Sequence, residues 1–338
     1  MNRLSPKIAR IILGAFASCC LSATLDAQVL SQIEQVQRDV KLRPLDQASA
    51  SPTQSVPPLY SGEEADSGNQ LLLEARPHQH WNWINLTLDS EYYYTSNAFL
   101  TNTGNKGTEL LINTLDAAIA APPITVPYGQ LFTRAGYQHQ WFDYGIGGPG
   151  DHFGKLNFDA GTVYAEAQYE LPNHWEIFGN LTYTRLLSED NDYSEFYKEL
   201  IPTLGVEKRL QLSKTVQLTI DYSGNYRFTD EAPFPGQSRD CNNRTDQALA
   251  LVLDWQAAPK VIIRPFYQFQ YSRYPDFFDN HGADQLLYTM GVSANYCFNS
   301  WSSVRLFLSY EIRHSDSPEI PDYRKLDAGG GLSVALKF

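Results

Sequence analysis

His139 lies in the stretch GYQHQWFDYG. A lipolytic barrel would set a nucleophilic serine two residues after such a histidine, so that the base reaches the hydroxyl. Here that position is Trp141, which is no nucleophile. His152, His174, His281 and His314 fall at loops or strand ends, with no serine or acid in a usable spacing. Glu166 and Glu170 share one face of an extended segment with Gln168. Two carboxylates so placed could do general acid–base work, but the pattern reads better as a solvated wall. The stretch SEDNDYSE gathers Glu189, Asp190, Asp192 and Glu195. Calcium takes several oxygen ligands, yet this loop lacks the glycine that turns a calcium-binding loop. The glycine-rich GIGGPGDHFG opens no helix, and a phosphate cradle needs a helix start. Of 4 cysteines, Cys19 and Cys20 lie in the leading segment, leaving Cys241 and Cys297. Two cysteines so far apart form neither a metal site nor a disulfide framework. The expectation is a protein with no catalytic residue, no cofactor and no metal.

The charged residues have another pattern. Arg134, Arg209, Arg227, Arg264, Arg305 and Arg313 fall in the polar phase of alternating segments, as do Asp89, Glu91, Glu166, Glu207, Asp221 and Glu311. In a strand, residues two apart share a face. The segment TVQLTIDYSGNYRF puts Val216, Leu218, Ile220, Tyr222, Tyr226 and Phe228 on one side, and Gln217, Thr219, Asp221, Ser223, Asn225 and Arg227 on the other. The same alternation groups Leu286, Tyr288, Met290 and Val292, then Leu306, Leu308, Tyr310 and Ile312, then Leu249, Leu251, Leu253 and Trp255. Such strands are long for a soluble sheet and suit a tilted membrane strand.

The chain ends on the same pattern. In GGGLSVALKF, Leu332, Val334, Leu336 and Phe338 fall on one side up to the last residue. A terminal strand locked into a sheet keeps such order, whereas a frayed end does not. The other end carries Arg3, Lys7 and Arg10, then the apolar run Ile11–Ala17 and small residues. That is the layout of a secretory signal peptide, taken as residues 1–27. Residues 28–80 read as a polar periplasmic leader, in which Val29, Ile33, Val36 and Val40 have the spacing of a short helix. No segment has 18 consecutive apolar residues, so no spanning helix is expected. The chain has 21 Tyr, 17 Phe and 6 Trp, which suits strands apolar on one face. A net charge of −12 argues against nucleic acid as a partner.

Twelve strands are expected in a barrel domain spanning 81–338, at 81–95, 108–119, 130–144, 156–170, 175–188, 198–211, 215–228, 245–256, 261–273, 284–298, 302–314 and 326–338. Short turns at 171–174, 212–214, 257–260 and 299–301 alternate with long polar loops at 145–155, 189–197, 229–244, 274–283 and 315–325. Outer-membrane barrels have short periplasmic turns and longer outside loops. An even count returns Phe338 to the periplasmic side, so ten or fourteen strands are the alternatives. Pro202 and Pro265 lie inside strands, where a bulge or a later strand start is expected. TELLINTLDAAIAAPP reads as strand or helix. Tyr92, Tyr93, Tyr94, Trp141, Tyr144, Trp175, Tyr271, Tyr274 and Trp301 cluster near strand ends, as aromatic girdles do.

With its signal peptide, polar leader, long alternating strands and terminal Phe338, the chain resembles bacterial outer-membrane β-barrels. SEYYYTSNAFLT, with its Tyr-x-x-x-Asn-x-Phe near the first strand, is similar to the opening of the second family of β-barrel porins. The resemblance implies an all-β, antiparallel up-and-down barrel in the cell outer membrane, surrounded by its lipids and delivered by the barrel-assembly machinery. The leading functional reading is a porin-like channel for passive diffusion of small solutes. The alternatives are a closed barrel acting as a partner-binding or envelope scaffold and, third, an outer-membrane hydrolase. Pore-lining candidates are Arg134, Glu166, Asp221, Arg227, Arg264, Arg305 and Glu311. Leu332, Val334, Leu336 and Phe338 are the candidate assembly signal. Homo-oligomerisation is left open.

Overall fold

The computed structural model describes residues 83–102, 106–145, 156–188, 193–231, 239–275, 282–317 and 320–338. The signal peptide, the leader, His152, His281, the glycine-rich stretch after Gly145 and the acids Glu189, Asp190 and Asp192 lie outside them. The strands are β1 (Ile84–Thr95), β2 (Thr108–Ala120), β3 (Ile124–Val126), β4 (Gly129–Tyr144), β5 (Phe158–Leu171), β6 (Trp175–Ser188), β7 (Ser194–Ser213), β8 (Val216–Glu231), β9 (Arg244–Ala258), β10 (Val261–Tyr274), β11 (Ala283–Cys297), β12 (Ser302–Ser315) and β13 (Tyr323–Lys337). Neighbouring long strands pair antiparallel, β2 pairs with β4, and β1 pairs with both β2 and β13. The result is a closed barrel of twelve long strands, with β3 added. Closure leaves no edge for lipid to face.

One open choice resolves to the expected strand, and two details differ from the sequence reading. TELLINTLDAAIA is a strand, β2. The short β3 folds back onto β4 through Pro127 and Tyr128, and Tyr128 takes φ 68° at a turn position where glycine is usual. Neither proline shifts the register. Leu200 pairs with Phe228 and Thr203 with Asn225 on either side of Pro202, and Ile263 with Trp255 and Phe266 with Val252 on either side of Pro265. Each proline merely faces a gap in one ladder. The shifts fall instead at Leu186/Leu187, Gln211/Ser213 and Val261/Ile262.

The closing seam depends on glycines. Gly329 pairs with Tyr93 of β1 and Phe307 of β12, and these two rings meet edge to face above it, 5.5 Å apart. A Cβ on Gly329 would lie 2.1 Å from that of Tyr93. Glu91 and Arg305 join in the same way across Gly331. Side chains of β1 and β12 therefore touch across β13, because at these positions that strand has no side chain in the way.

Outside, the wall is apolar. Leu88, Leu181, Leu204, Leu251, Leu306 and Leu308 are exposed to the surroundings. Aromatic rings bound this band at both ends. Tyr92, Tyr94, Trp141 and Tyr183 stand toward the long loops, and Trp175, Trp255, Trp301 and Phe338 toward the chain's end. An apolar band between aromatic girdles is the wall of an outer-membrane barrel, and the chain is one. Tyr93, Tyr144 and Tyr274, expected in the girdle, instead point into the lumen, buried at 0 %, 5 % and 1 % exposure. Consecutive residues of a strand face opposite ways, so Tyr93 cannot share the face of Tyr92 and Tyr94.

Candidate functional site: the barrel lumen

In the extracellular half the lumen is filled. On one side Tyr93, Leu110, Ile112, Phe142 and Phe158 turn inward from β1, β2, β4 and β5 and pack as one cluster with Leu186 and Tyr197. Phe142 and Phe158 are cross-strand partners and stack at 4.3 Å, nearly parallel. The bulge at Leu186/Leu187 pairs Leu186 with Tyr197 and Leu187 with Glu195. The extra residue, Phe196, also packs against the cluster. A bulge re-aims a side chain in this way.

The other side is ionic. Arg227 of β8 meets Glu199 of β7 at 3.1 Å and Asp246 of β9 at 2.5 Å, and Arg244 reaches the other oxygen of Asp246 at 3.0 Å. Tyr197 Oη donates to Glu199 at 3.0 Å. A second knot surrounds Glu311, which accepts from Tyr323 Oη at 2.5 Å and from Lys325 Nζ at 3.1 Å, with Thr289 at 3.3 Å. Arg313 lies over the Tyr323 ring, 4.3 Å from its centre.

In the periplasmic half the arrangement is acidic and wetter. Glu170 pairs with Glu176, Glu176 with Glu207, and Glu207 with Asp221. Four carboxylates thus stand in one row across β5, β6, β7 and β8. Like charges directly opposite one another are destabilising. Arg209 offsets part of this by reaching Glu207 at 2.5 Å, Glu176 at 2.9 Å and Glu170 at 3.9 Å. Beside the row, Arg134 binds Glu166 at 2.8 Å. Tyr164 passes over Gly136 to donate to Asp116 at 2.9 Å, and a Cβ on Gly136 would sit 2.6 Å from that hydroxyl. Arg209 and Glu170 keep 35 % and 48 % of their side-chain surface exposed, against 3 % for Arg227.

All seven candidates named from the sequence lie in the inward phase of their strands. Arg134, Glu166 and Asp221 belong to the periplasmic half, and Arg227 and Glu311 to the extracellular half. Arg264 is buried against Asp254 at 2.6 Å, and Arg305 binds Glu91. Glu199, Asp246 and Glu176 were missed, although they occupy the polar phase of recognised strands, and Arg244, read as the end of the loop 229–244, opens β9 instead. Leu332, Val334, Leu336 and Phe338 face outward, and Phe338 exchanges backbone hydrogen bonds with Ile84 at 2.8 and 3.1 Å. His139 also faces outward, between Tyr137 Oη at 3.0 Å and Asp159 at 3.4 Å. Cys241 and Cys297 are not joined in a disulfide and stand at opposite ends of the wall, beside the extracellular start of β9 and at the periplasmic end of β11.

No protein-family model matches the chain, and no curated protein does. Among solved structures, it is similar to the COG4313 outer membrane channel from Pseudomonas putida F1, at 12 % identity and a TM-score of 0.49, over 81 % of this chain and 100 % of that one. It is also similar to the beta domain of the Bordetella autotransporter BrkA, at 14 % identity and TM-score 0.42, over 75 % of this chain and 100 % of that one. A third is the KdgM porin in complex with disordered oligogalacturonate, at 9 % identity and TM-score 0.37, over 73 % and 98 %.

Proposed function

We propose that this barrel is a narrow, porin-like channel for passive diffusion of small solutes, with its constriction in the extracellular half and a wet, acid-lined vestibule below. The observation that carries this reading is the row Glu170–Glu176–Glu207–Asp221 with Arg209, of which Glu170 and Arg209 are open to the lumen while Glu176 and Glu207 stand largely buried behind them. Carboxylates facing one another are tolerable where water and ions screen them. The row gives the vestibule a cation preference. Small barrels of about eight strands are filled by side chains and those of sixteen leave a wide channel. Twelve strands suit a narrow passage that excludes large oligomers.

The packed extracellular half favours a second reading, a closed barrel that serves as a scaffold for a partner. Conductance of the folded, mature protein in planar bilayers separates the two. Small, cation-preferring unitary currents support the channel. Silence of folded protein, with and without residues 28–80, supports the scaffold. In either reading, we take the outward set ending in Phe338 to be what the assembly machinery recognises. Deleting Phe338 should lower the yield of folded barrel in the membrane.

A further inference from the structure

The pattern Tyr93-x-x-x-Asn97-x-Phe99 comes together at the extracellular mouth. Tyr93 and Ala98 belong to the inward cluster that holds Phe142 and Phe158, and Phe99 packs against it. The chain after β1 therefore does not rise away from the barrel. It turns inward onto the cluster, and Ala98 and Leu100 are both buried.

Asn97 holds the turn there. It is buried, and its side-chain amide is used at both ends. Nδ2 donates to Thr101 O at 2.8 Å and to Arg324 O at 3.2 Å, and Oδ1 accepts from Thr101 N–H at 3.2 Å. The two bonds to Thr101 close the turn on itself. The bond to Arg324 ties it to β13, across the seam where the barrel closes. Leu100, inside the turn, takes φ 53°, in the left-handed region that residues other than glycine rarely adopt. Strain of this kind persists only where the surroundings impose it, and it gathers at switching elements. The base of the turn is fixed separately. Ser96 N–H donates to Leu326 O at 2.9 Å, and Ser96 Oγ accepts from Leu326 N–H at 2.8 Å. A strained turn thus stands on a fixed base and is held down by one side chain.

We propose that Asn97–Thr101 is a latch on the extracellular mouth. In its docked state Phe99 seals the aromatic constriction. In its raised state Leu100 relaxes to an extended φ and the turn swings outward about Ser96. The latch rests on the channel reading and supplies its gate. Water satisfies the Asn97 amide when the turn is raised, so docking gains only the net worth of its hydrogen bonds and of the contacts of Ala98 and Phe99. The strain at Leu100 opposes that gain. A hinged loop with so small a balance exchanges between two arrangements. Phe142 and Phe158 cannot move in this way, because each sits on a strand bonded on both sides.

The test uses the mature chain in detergent micelles, carrying Cys241→Ala, Cys297→Ser and Ala98→Cys. The readout is the rate at which a water-soluble maleimide labels position 98. Shifted gel migration on heating verifies folding of each variant. With Asn97 in place labelling should be slow, since position 98 is covered while the turn is docked. Asn97→Ala should speed it by about tenfold or more. Phe99→Ala leaves the clamp intact and should speed it several-fold. Asn243→Ala frees Thr229 from the same kind of clamp in another loop, and should leave labelling unchanged. In planar bilayers Asn97→Ala should raise the open probability several-fold with selectivity unaltered. Labelling that neither Asn97→Ala nor Phe99→Ala speeds would overturn the latch. So would labelling that Asn243→Ala speeds equally, because the whole mouth then loosens together, and so would fast labelling of a conducting barrel whose open probability does not move. Fast labelling with every variant silent would keep the motion and overturn the channel reading instead.

Discussion

In the extracellular half of the lumen, Arg227 holds Glu199 and Asp246 at 3.1 and 2.5 Å, and all three are almost sealed from solvent. In the periplasmic half, Arg209 holds Glu207 and Glu176 at 2.5 and 2.9 Å with a third of its own side chain exposed. In both, one arginine bridges two carboxylates at similar distances. The surroundings differ. Above, cation and anions alternate around Arg227 and Arg244, and the facing wall is closed by Phe142 and Phe158. Below, three carboxylates share Arg209 with Asp221 next in the row, and the rings of Phe178 and Phe266 turn inward over Gly205 and Gly291. A buried ion pair needs all its members, because removing one leaves an uncompensated charge in a low-dielectric site. A wet one tolerates imbalance and can act on mobile ions.

That contrast is sharpest in stability. Arg227→Met leaves Glu199 and Asp246 facing each other out of water, and should cost about 3–5 kcal/mol. Arg209→Met acts on a cation that is a third exposed, beside the open Glu170 but also the nearly buried Glu176 and Glu207, and should cost less, about 1–2 kcal/mol. Urea unfolding of the barrel in detergent micelles measures both. Equal losses would erase the distinction between the halves.

Conductance comes next. Phe142→Ala with Phe158→Ala removes a stacked pair that closes the extracellular half, and should raise single-channel conductance several-fold. Shortening Arg134, which stands in the vestibule, should leave conductance near the wild-type value. If the double variant conducts like wild type, the constriction lies elsewhere. A smaller effect is expected on selectivity. Asp221→Asn removes the row's carboxylate that lies beyond the reach of Arg209, and should lower cation preference, read as a shift of reversal potential at low salt, where screening is weakest. Arg227→Met should not move it.

The sequence shows the barrel well where each strand has one apolar face, as in β8, β11 and β12. It becomes ambiguous where the lumen itself is apolar. Leu110, Leu111 and Ile112 are consecutive apolar residues, so TELLINTLDAAIA loses its period of two and resembles a helix. The structure supplies the cause, since Leu110 and Ile112 pack into the aromatic cluster while Leu111 faces outward. The inward phase of the charged residues was legible for the same reason as the strands. Their grouping was not. Which acid meets which arginine depends on register between strands, and register is set by bulges such as Leu186/Leu187, which leave no local signature in the residues themselves. The prolines misled in the opposite sense. A missing N–H only costs one ladder bond, and each ladder resumes in step on the far side of Pro202 and Pro265.

The last comparison is between a titratable group at the rim and the lumen knots below it. Asp322, in the loop before β13, accepts from the Ser315 backbone N–H at 2.8 Å and lies 3.3 Å from His314. The Ser315 hydrogen bond, with help from His314, holds its carboxyl below the usual carboxylate range. A depressed folded value means that the tether is fully present above the unfolded value, about pH 3.9, and is lost as pH falls through the folded one. Its contribution is small, because Asp322 is exposed and well solvated. Acidification from about pH 5 to about pH 3, spanning the unfolded value, should therefore lower the protection factor at Ser315, once the intrinsic slowing of amide exchange in acid is divided out. Asp322→Asn should remove most of that pH dependence and leave conductance unchanged. An equal loss of protection in the Asp322→Asn variant would mean that acid loosens the rim through the Glu311 or Asp246 knots beneath it, and that the extracellular half is less sealed than its packing implies.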